Sequence, residues 1–250
     1  MPRKHEVALN RALSKLGILS RSQATDAIRA GRVRVDGRLV RDPAHPVVPE
    51  HARIAVDERP HRRAAWRTVL FHKPRGVVTT RRDPEGRRTI YDVLGDDARG
   101  LIPVGRLDLA TTGLLLLTTD TQLANWISDP ANGIPRVYAV TVRGEVTPED
   151  LSALPARVTL RKASSRESHL IVELREGKNR HVRRMFETIG RDVTRLKRVS
   201  LGGLELRALE PGQSRELARA EIRAAFPGSP VREEERKGRK GRKGPGVPRH

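Results

Sequence analysis

Residues 105–117, GRLDLATTGLLLL, constrain the fold of this chain more than any other stretch. They set one carboxylate, Asp108, between Arg106 and a Thr-Thr-Gly turn, and a leucine run that can only be buried follows directly. Such a run predicts a strand entering a core. An ionisable group at the lip of a buried strand is where a fold can hold a reactive side chain in fixed geometry.

Composition indicates what that carboxylate meets. At 250 residues the chain is long enough for one medium domain with a real core and a small satellite. Lys and Arg number 50 against 30 Asp and Glu, and the net charge of +20 makes a field that attracts phosphate backbones. An anionic membrane would suit that charge too. However, no apolar run reaches transmembrane length, and the basic start MPRKHEV has no hydrophobic signal core behind it. With no cysteine, disulfides, cysteine-ligated zinc, iron–sulfur clusters and thiol catalysis are excluded. The 8 histidines form no HxxxH or HxH pair, so no metal site is expected. These features predict a soluble, cytoplasmic nucleic-acid protein, with a monomer as the default state.

The chain divides into three parts. A compact module is expected over residues 5–58, followed by a polar linker within ERPHRR (58–63) that contains Pro60. A larger domain spans 64–226. From residue 227 the sequence GSPVREEERKGRKGRKGPGVPRH follows Pro227 with much Gly, Pro, Lys and Arg and no hydrophobic periodicity. It buries too little apolar surface to offset its ordering entropy, which predicts a disordered basic tail over 227–250.

The N-terminal module reads as two helices and a small sheet. Leu9, Leu13 and Leu16 recur at helical spacing, and Gly17 can end that helix. Ser20 with Gln23 makes a capping box for a second helix through Ala30, stopped by Gly31. RVRVDGRLV then alternates charge and valine around Asp36-Gly37, a hairpin signal. Val33 and Val35 face one side, and Arg32 and Arg34 the other. Arg21 and Arg29 extend this basic character, and between residues 7 and 41 the only acids are Asp26 and Asp36. The pattern favours RNA binding over an ordinary solvated face.

In the larger domain, WRTVLFHKPRGVVTT gives two apolar strand-like runs around Lys73-Pro74-Arg75-Gly76. Lys73 and Arg75 could meet phosphate there, or KPRG could be a plain charged turn. A helix is expected from Asp120 to Ser128, and strands at RVYAVTVRG, which carries Tyr138, and at HLIVELREG. Interspersed strands and helices argue for an α+β fold on a mixed or antiparallel sheet. The last helix is expected from an Asn179 cap to Gly190, with Val182, Met185, Phe186 and Ile189 as its buried stripe. At about 100° per residue, Arg183 lies at the border of that stripe and Arg184 points away from it, toward solvent or phosphate.

The module's SRSQATDAIRAGRVRVDGRLV resembles the S-four-like RNA-binding domain, and GRLDLATTGLLLLTTD resembles the signature of pseudouridine synthases. KPRGVVTT, RVYAVTVRG and EGKNRHVRRMFETIGRDVTRLKRVSLGG match other motifs of that family in the same order, over about residues 5–210. The likeness is to the ribosomal small-subunit pseudouridine synthase A-like branch. It implies a mixed-sheet catalytic core in which Asp108 is the nucleophile, Tyr138 packs against the target uracil and Arg183 pairs with the aspartate. By the same resemblance Arg106 fills the gap left by a flipped base and Leu196 lines the pocket floor. His181 and Arg136 depart from the family's usual residues. The implied reaction neither adds nor removes atoms, so no cofactor is expected. The implied substrate is ribosomal RNA, with a lean to the large subunit. A noncatalytic RNA-binding assembly factor using the same basic surfaces is the alternative that the residues leave open.

Overall fold

The computed structural model describes residues 6–16, 18–19, 21–49, 51–60, 65–178 and 180–231. The expected stops and caps at Gly17, Ser20 and Asn179 lie outside them, as does the tail beyond 231.

In the N-terminal module the helices Leu9–Lys15 and Arg21–Arg29 pack their apolar stripes together over the hairpin Val33–Val35 and Arg38–Val40. Leu9, Leu13, Ala24, Ile28 and Val33 are fully buried at its centre. Asp36 and Gly37 both take positive φ, the backbone that a two-residue hairpin turn demands, and they set Val33 opposite Val40. The sheet continues through Ile54–Val56 to Arg59–Pro60. The first part of the expected linker is therefore a strand of the module. A second positive-φ pair, Asp57 and Glu58, makes that turn, and the edge position suits Pro60.

The larger domain is built on one mixed sheet. Its strands run in the order Arg157–Lys162, Glu167–Leu174, Arg136–Arg143, Val193–Leu201, Thr112–Thr118, Thr68–Lys73 and Ser214–Glu216. Neighbours are antiparallel except Val193–Leu201 and Thr112–Thr118, which run parallel and pair only at Lys197–Thr112 and Arg198–Gly113. The outer strand Arg157–Lys162 ends the sheet with Arg157, Arg161 and Lys162 exposed.

The leucine run forms the inner strand, buried on both faces. Side chains of a strand alternate, and here each set has its own core. Leu114 and Leu116 pack with Leu123, Ile127, Ile222 and Phe226, from the helices Thr121–Ser128 and Arg219–Ala225 and the residue that ends the latter. Leu115 and Leu117 pack with Phe71, Ile90, Leu94 and Leu101 on the other side. All four leucines are fully buried, and each such side chain contributes about 1.5–3 kcal/mol. Asp120 caps the Thr121–Ser128 helix by accepting from the Gln122 and Leu123 amides.

Two expectations change. GVVTT is not a second strand: the Val78 amide bonds to Arg88 and its carbonyl accepts from Ile90, which leaves an isolated bridge to Thr89. At the C-terminal end, Val231 is buried in the core with Ile222 and Phe226. The packed domain thus extends past residue 226.

Gly113 belongs to the strand rather than to a turn, and it permits the parallel contact. A β-carbon there would stand 2.2 Å from the Arg198 carbonyl oxygen, and its φ is +109°. Gly113→Ala should therefore cost about 3 kcal/mol or more. Thermal denaturation should show Tm lowered by roughly 6–12 °C.

Candidate active site

Asp108 sits on the loop that leads into the Thr112–Thr118 strand, and the main chain of this loop is held at Leu107, Asp108, Leu109 and Thr111. Thr79 holds Leu107 from both sides, its hydroxyl donating to the Leu107 carbonyl at 2.9 Å and accepting from the Leu107 amide at 3.3 Å. The Thr111 amide donates to the Asp108 carbonyl at 3.0 Å, and the Gly76 amide donates to the Leu109 carbonyl at 2.9 Å. Beneath them the Lys73 ammonium donates to the carbonyls of Asp108 (3.1 Å), Thr111 (2.9 Å) and Pro74 (3.1 Å). The main chain is thus immobilised while the Asp108 side chain stays half-exposed.

The half-buried carboxylate borders a cavity of about 410 Å³, a volume suited to a small ligand. Arg106, Tyr138 and Leu196 line the same cavity. Tyr138 reaches it from the Arg136–Arg143 strand and packs between two of the apolar cores. Leu196 lies on the neighbouring strand opposite Val140 and is buried. Four of the expected residues therefore converge on one space.

Arg183 approaches from the His181–Glu187 helix, half-buried as its place on the stripe border predicts, whereas Arg184 is exposed. The Arg183 Nη1 donates to the Val193 carbonyl at 2.7 Å. Burial draws the Arg183 pKa below its ordinary value, Arg180 adds to this and the Asp108 charge opposes it. Arg183 and Asp108 are thus electrostatically coupled, although no direct ion pair between them occurs among the described residues.

Lys73 is a correction. It is fully buried and cannot meet phosphate, whereas Arg75, at the turn, is exposed. Arg21, Arg29, Arg32 and Arg34 all lie exposed on the N-terminal module. Of these, Arg32 stands 3.6 Å from Asp57, and Arg34 donates to the Gly37 carbonyl.

Two cavity residues were not singled out from the sequence as parts of the site. Arg136 is buried and donates to the carbonyls of Ile134, Ile127 and Arg175, tying three segments at the cavity's edge. Arg198 is buried beside Tyr138, with Nε donating to the Leu114 carbonyl at 2.7 Å. Strand alternation carried the signal: Arg136 shares a face with Tyr138, and Arg198 with Leu196. His181 stands 3.6 Å from Glu176 at the same cavity.

Burial lowers the Lys73 pKa to about 8, against the pull of Asp108. The folded state therefore releases this proton at lower pH than the unfolded chain, so folding gains from rising pH between about 8 and the ordinary lysine value near 10.5. Lys73→Met should lose this pH dependence, seen in denaturant unfolding of both proteins across that range. At neutral pH it should cost about 2–4 kcal/mol, because it leaves buried carbonyls unpaired.

Comparison with known proteins agrees with this geometry. Residues 67–188 match the family model described as RNA pseudouridylate synthase, and residues 9–52 match the S4 domain. An uncharacterised RNA pseudouridine synthase of Aquifex aeolicus is 36% identical, over 88% of this chain and 94% of its own length. The ribosomal large subunit pseudouridine synthase B of Bacillus subtilis is 34% identical over 86% of this chain and 93% of that protein. A pseudouridylate synthase crystal structure superposes with a TM-score of 0.59 at 28% identity, covering 86% of this chain and 98% of the other. Relatives of this identity, matched over most of the chain, place this protein, whose pinned Asp108 loop lines one cavity with Tyr138, in the RNA pseudouridine synthase family.

Proposed function

We propose that the chain converts uridine to pseudouridine in ribosomal RNA, at one site or a few in the large subunit. The observation that carries this reading is the half-exposed Asp108 carboxylate on an immobilised loop, sharing one cavity with Tyr138. Isomerisation breaks the C1′–N1 glycosidic bond and forms C1′–C5, with a proton lost from C5 and one gained at N1. Atoms and electrons balance without a co-reactant. A carboxylate at that place serves as nucleophile toward the sugar or as base on it.

The target base must leave its stack to reach the cavity. Tyr138 offers it an aromatic face, and Leu196 an apolar floor. Arg183 steadies the Asp108 charge from the helix, and Arg106 meets the opened RNA at the rim. Arg75, Arg184 and the exposed arginines of the N-terminal module bind phosphate. The large-subunit assignment is supported by relatives named ribosomal large subunit pseudouridine synthase B in Bacillus subtilis and Pseudomonas aeruginosa. On this reading the protein acts as a monomer in the cytoplasm, where ribosomal RNA is made and assembled. No helix among the described residues is long and apolar enough to cross a membrane.

Asp108→Asn tests the proposal. Pseudouridine formation on an rRNA transcript should fall by at least about a thousandfold, while RNA affinity in a filter-binding assay stays within a factor of a few. A noncatalytic binding factor would be indifferent to the change. Mapping pseudouridines in rRNA from cells with and without the gene then identifies the site. If no large-subunit position disappears, the substrate assignment fails.

A further inference from the structure

Two guanidinium groups are buried at the cavity, and their bonding differs. The terminal nitrogens of Arg136 donate to the carbonyls of Ile134, Arg175 and Ile127. Arg198, only 3% exposed, makes one hydrogen bond, from Nε to the Leu114 carbonyl. Its Nη2 is shut off from solvent and has no partner. No carboxylate pairs with Arg198 among the described residues: of the two that line the cavity, Glu176 bonds Lys178 at 2.9 Å and Asp108 is the reacting group. The Arg198 charge also adds to burial in drawing the Arg136 pKa below its ordinary value. A buried cation with unmet donors is costly, and a ligand that brings acceptors removes the cost. Arg198 stands opposite Tyr138 across the strand pair, and both line the space that the base enters.

We propose that Arg198 is a further catalytic residue, which takes up the negative charge of the uracil as its bond to the sugar breaks. When C1′–N1 opens, the electron pair leaves with the base, whether Asp108 attacks the sugar or removes a proton from it. The detached uracil is then an anion whose charge is shared by N1, O2 and O4. A guanidinium has only donors to offer, and carbonyl oxygens that gain charge bind them more strongly than those of the neutral base. Arg198 thus gives the departing base what an oxyanion hole gives an acyl group, a donor already in place where charge develops. C1′–C5 then forms through C5 of that anion, C5 loses its proton, N1 gains one, and the charge is gone. The inference rests on the pseudouridine synthase reading and names the group that assists its bond-breaking step.

The probe is a fragment of large-subunit rRNA carrying, at the position modified by the wild-type chain, either uridine or 5-fluorouridine. Fluorine withdraws electrons, so the fluorinated base bears the charge with less help. Its C5 has no proton to lose, so turnover is read for both as disappearance of the starting nucleoside after nuclease digestion. On uridine, Arg198→Met should lower the saturating single-turnover rate at least about a hundredfold, with RNA affinity within a factor of a few. On 5-fluorouridine the same variant's defect should shrink at least about tenfold. Arg198→Lys, which keeps the charge, should lose less on uridine and show the same shrinkage. It carries the comparison if thermal denaturation shows the methionine chain unfolded. Equal losses on the two bases, or a loss in affinity alone, overturn the proposal and leave the enzymatic reading standing. A wild-type chain inactive on every RNA overturns that reading, and this role of Arg198 with it.

Discussion

The site depends on one buried ammonium group. Lys73 ends its strand inside the protein, and its three donors reach the carbonyls of Pro74, Asp108 and Thr111. A buried charge is tolerated only when its hydrogen bonds are met, so this lysine folds inward only if those carbonyls converge. The strand Thr68–Lys73 and the loop that carries Asp108 are therefore not independent elements. Forming one fixes the other, and the loop beneath the Asp108 carboxylate inherits the rigidity of the sheet.

That coupling suits a reaction in which nothing is added or removed. When the chemistry rearranges bonds within one nucleotide, the protein's main contribution is placement, and correct placement can supply a large share of a rate. The cavity walls come from the Arg136–Arg143 and Val193–Leu201 strands, from the loop that enters the Thr112–Thr118 strand and from the segments that Arg136 ties together. Gly113 lets those strands approach closely enough for Leu196 and Arg198 to share a cavity with Asp108. The basic exterior has the separate task of bringing a polyanion to this fixed geometry.

Much of this was legible in the residues. The leucine run announced a buried strand because four consecutive apolar side chains leave no face for water. The alternation around Asp36-Gly37 announced a hairpin because both residues accept positive φ. Helical spacing separated Arg183 from Arg184. Lys73 was misread because a lysine beside Pro and Gly looks like surface charge, and only the fold shows three carbonyls converging on it. GVVTT looked like a strand for its β-branched residues, yet the Val78 backbone groups were already engaged by Arg88 and Ile90. Gly113 looked like the end of a turn. What it serves is a partner strand some 80 residues away in sequence, a long-range contact that local pattern does not reveal.

The charged border of the sheet at Arg157–Lys162 has a consequence for life on a crowded template. An open strand edge invites another chain to add its own. A large folded RNA gathers basic proteins at high local density, where such additions would be most frequent. Two copies meeting along this border would bring guanidinium and ammonium groups into opposition, a charge arrangement that works against edge-to-edge strand pairing.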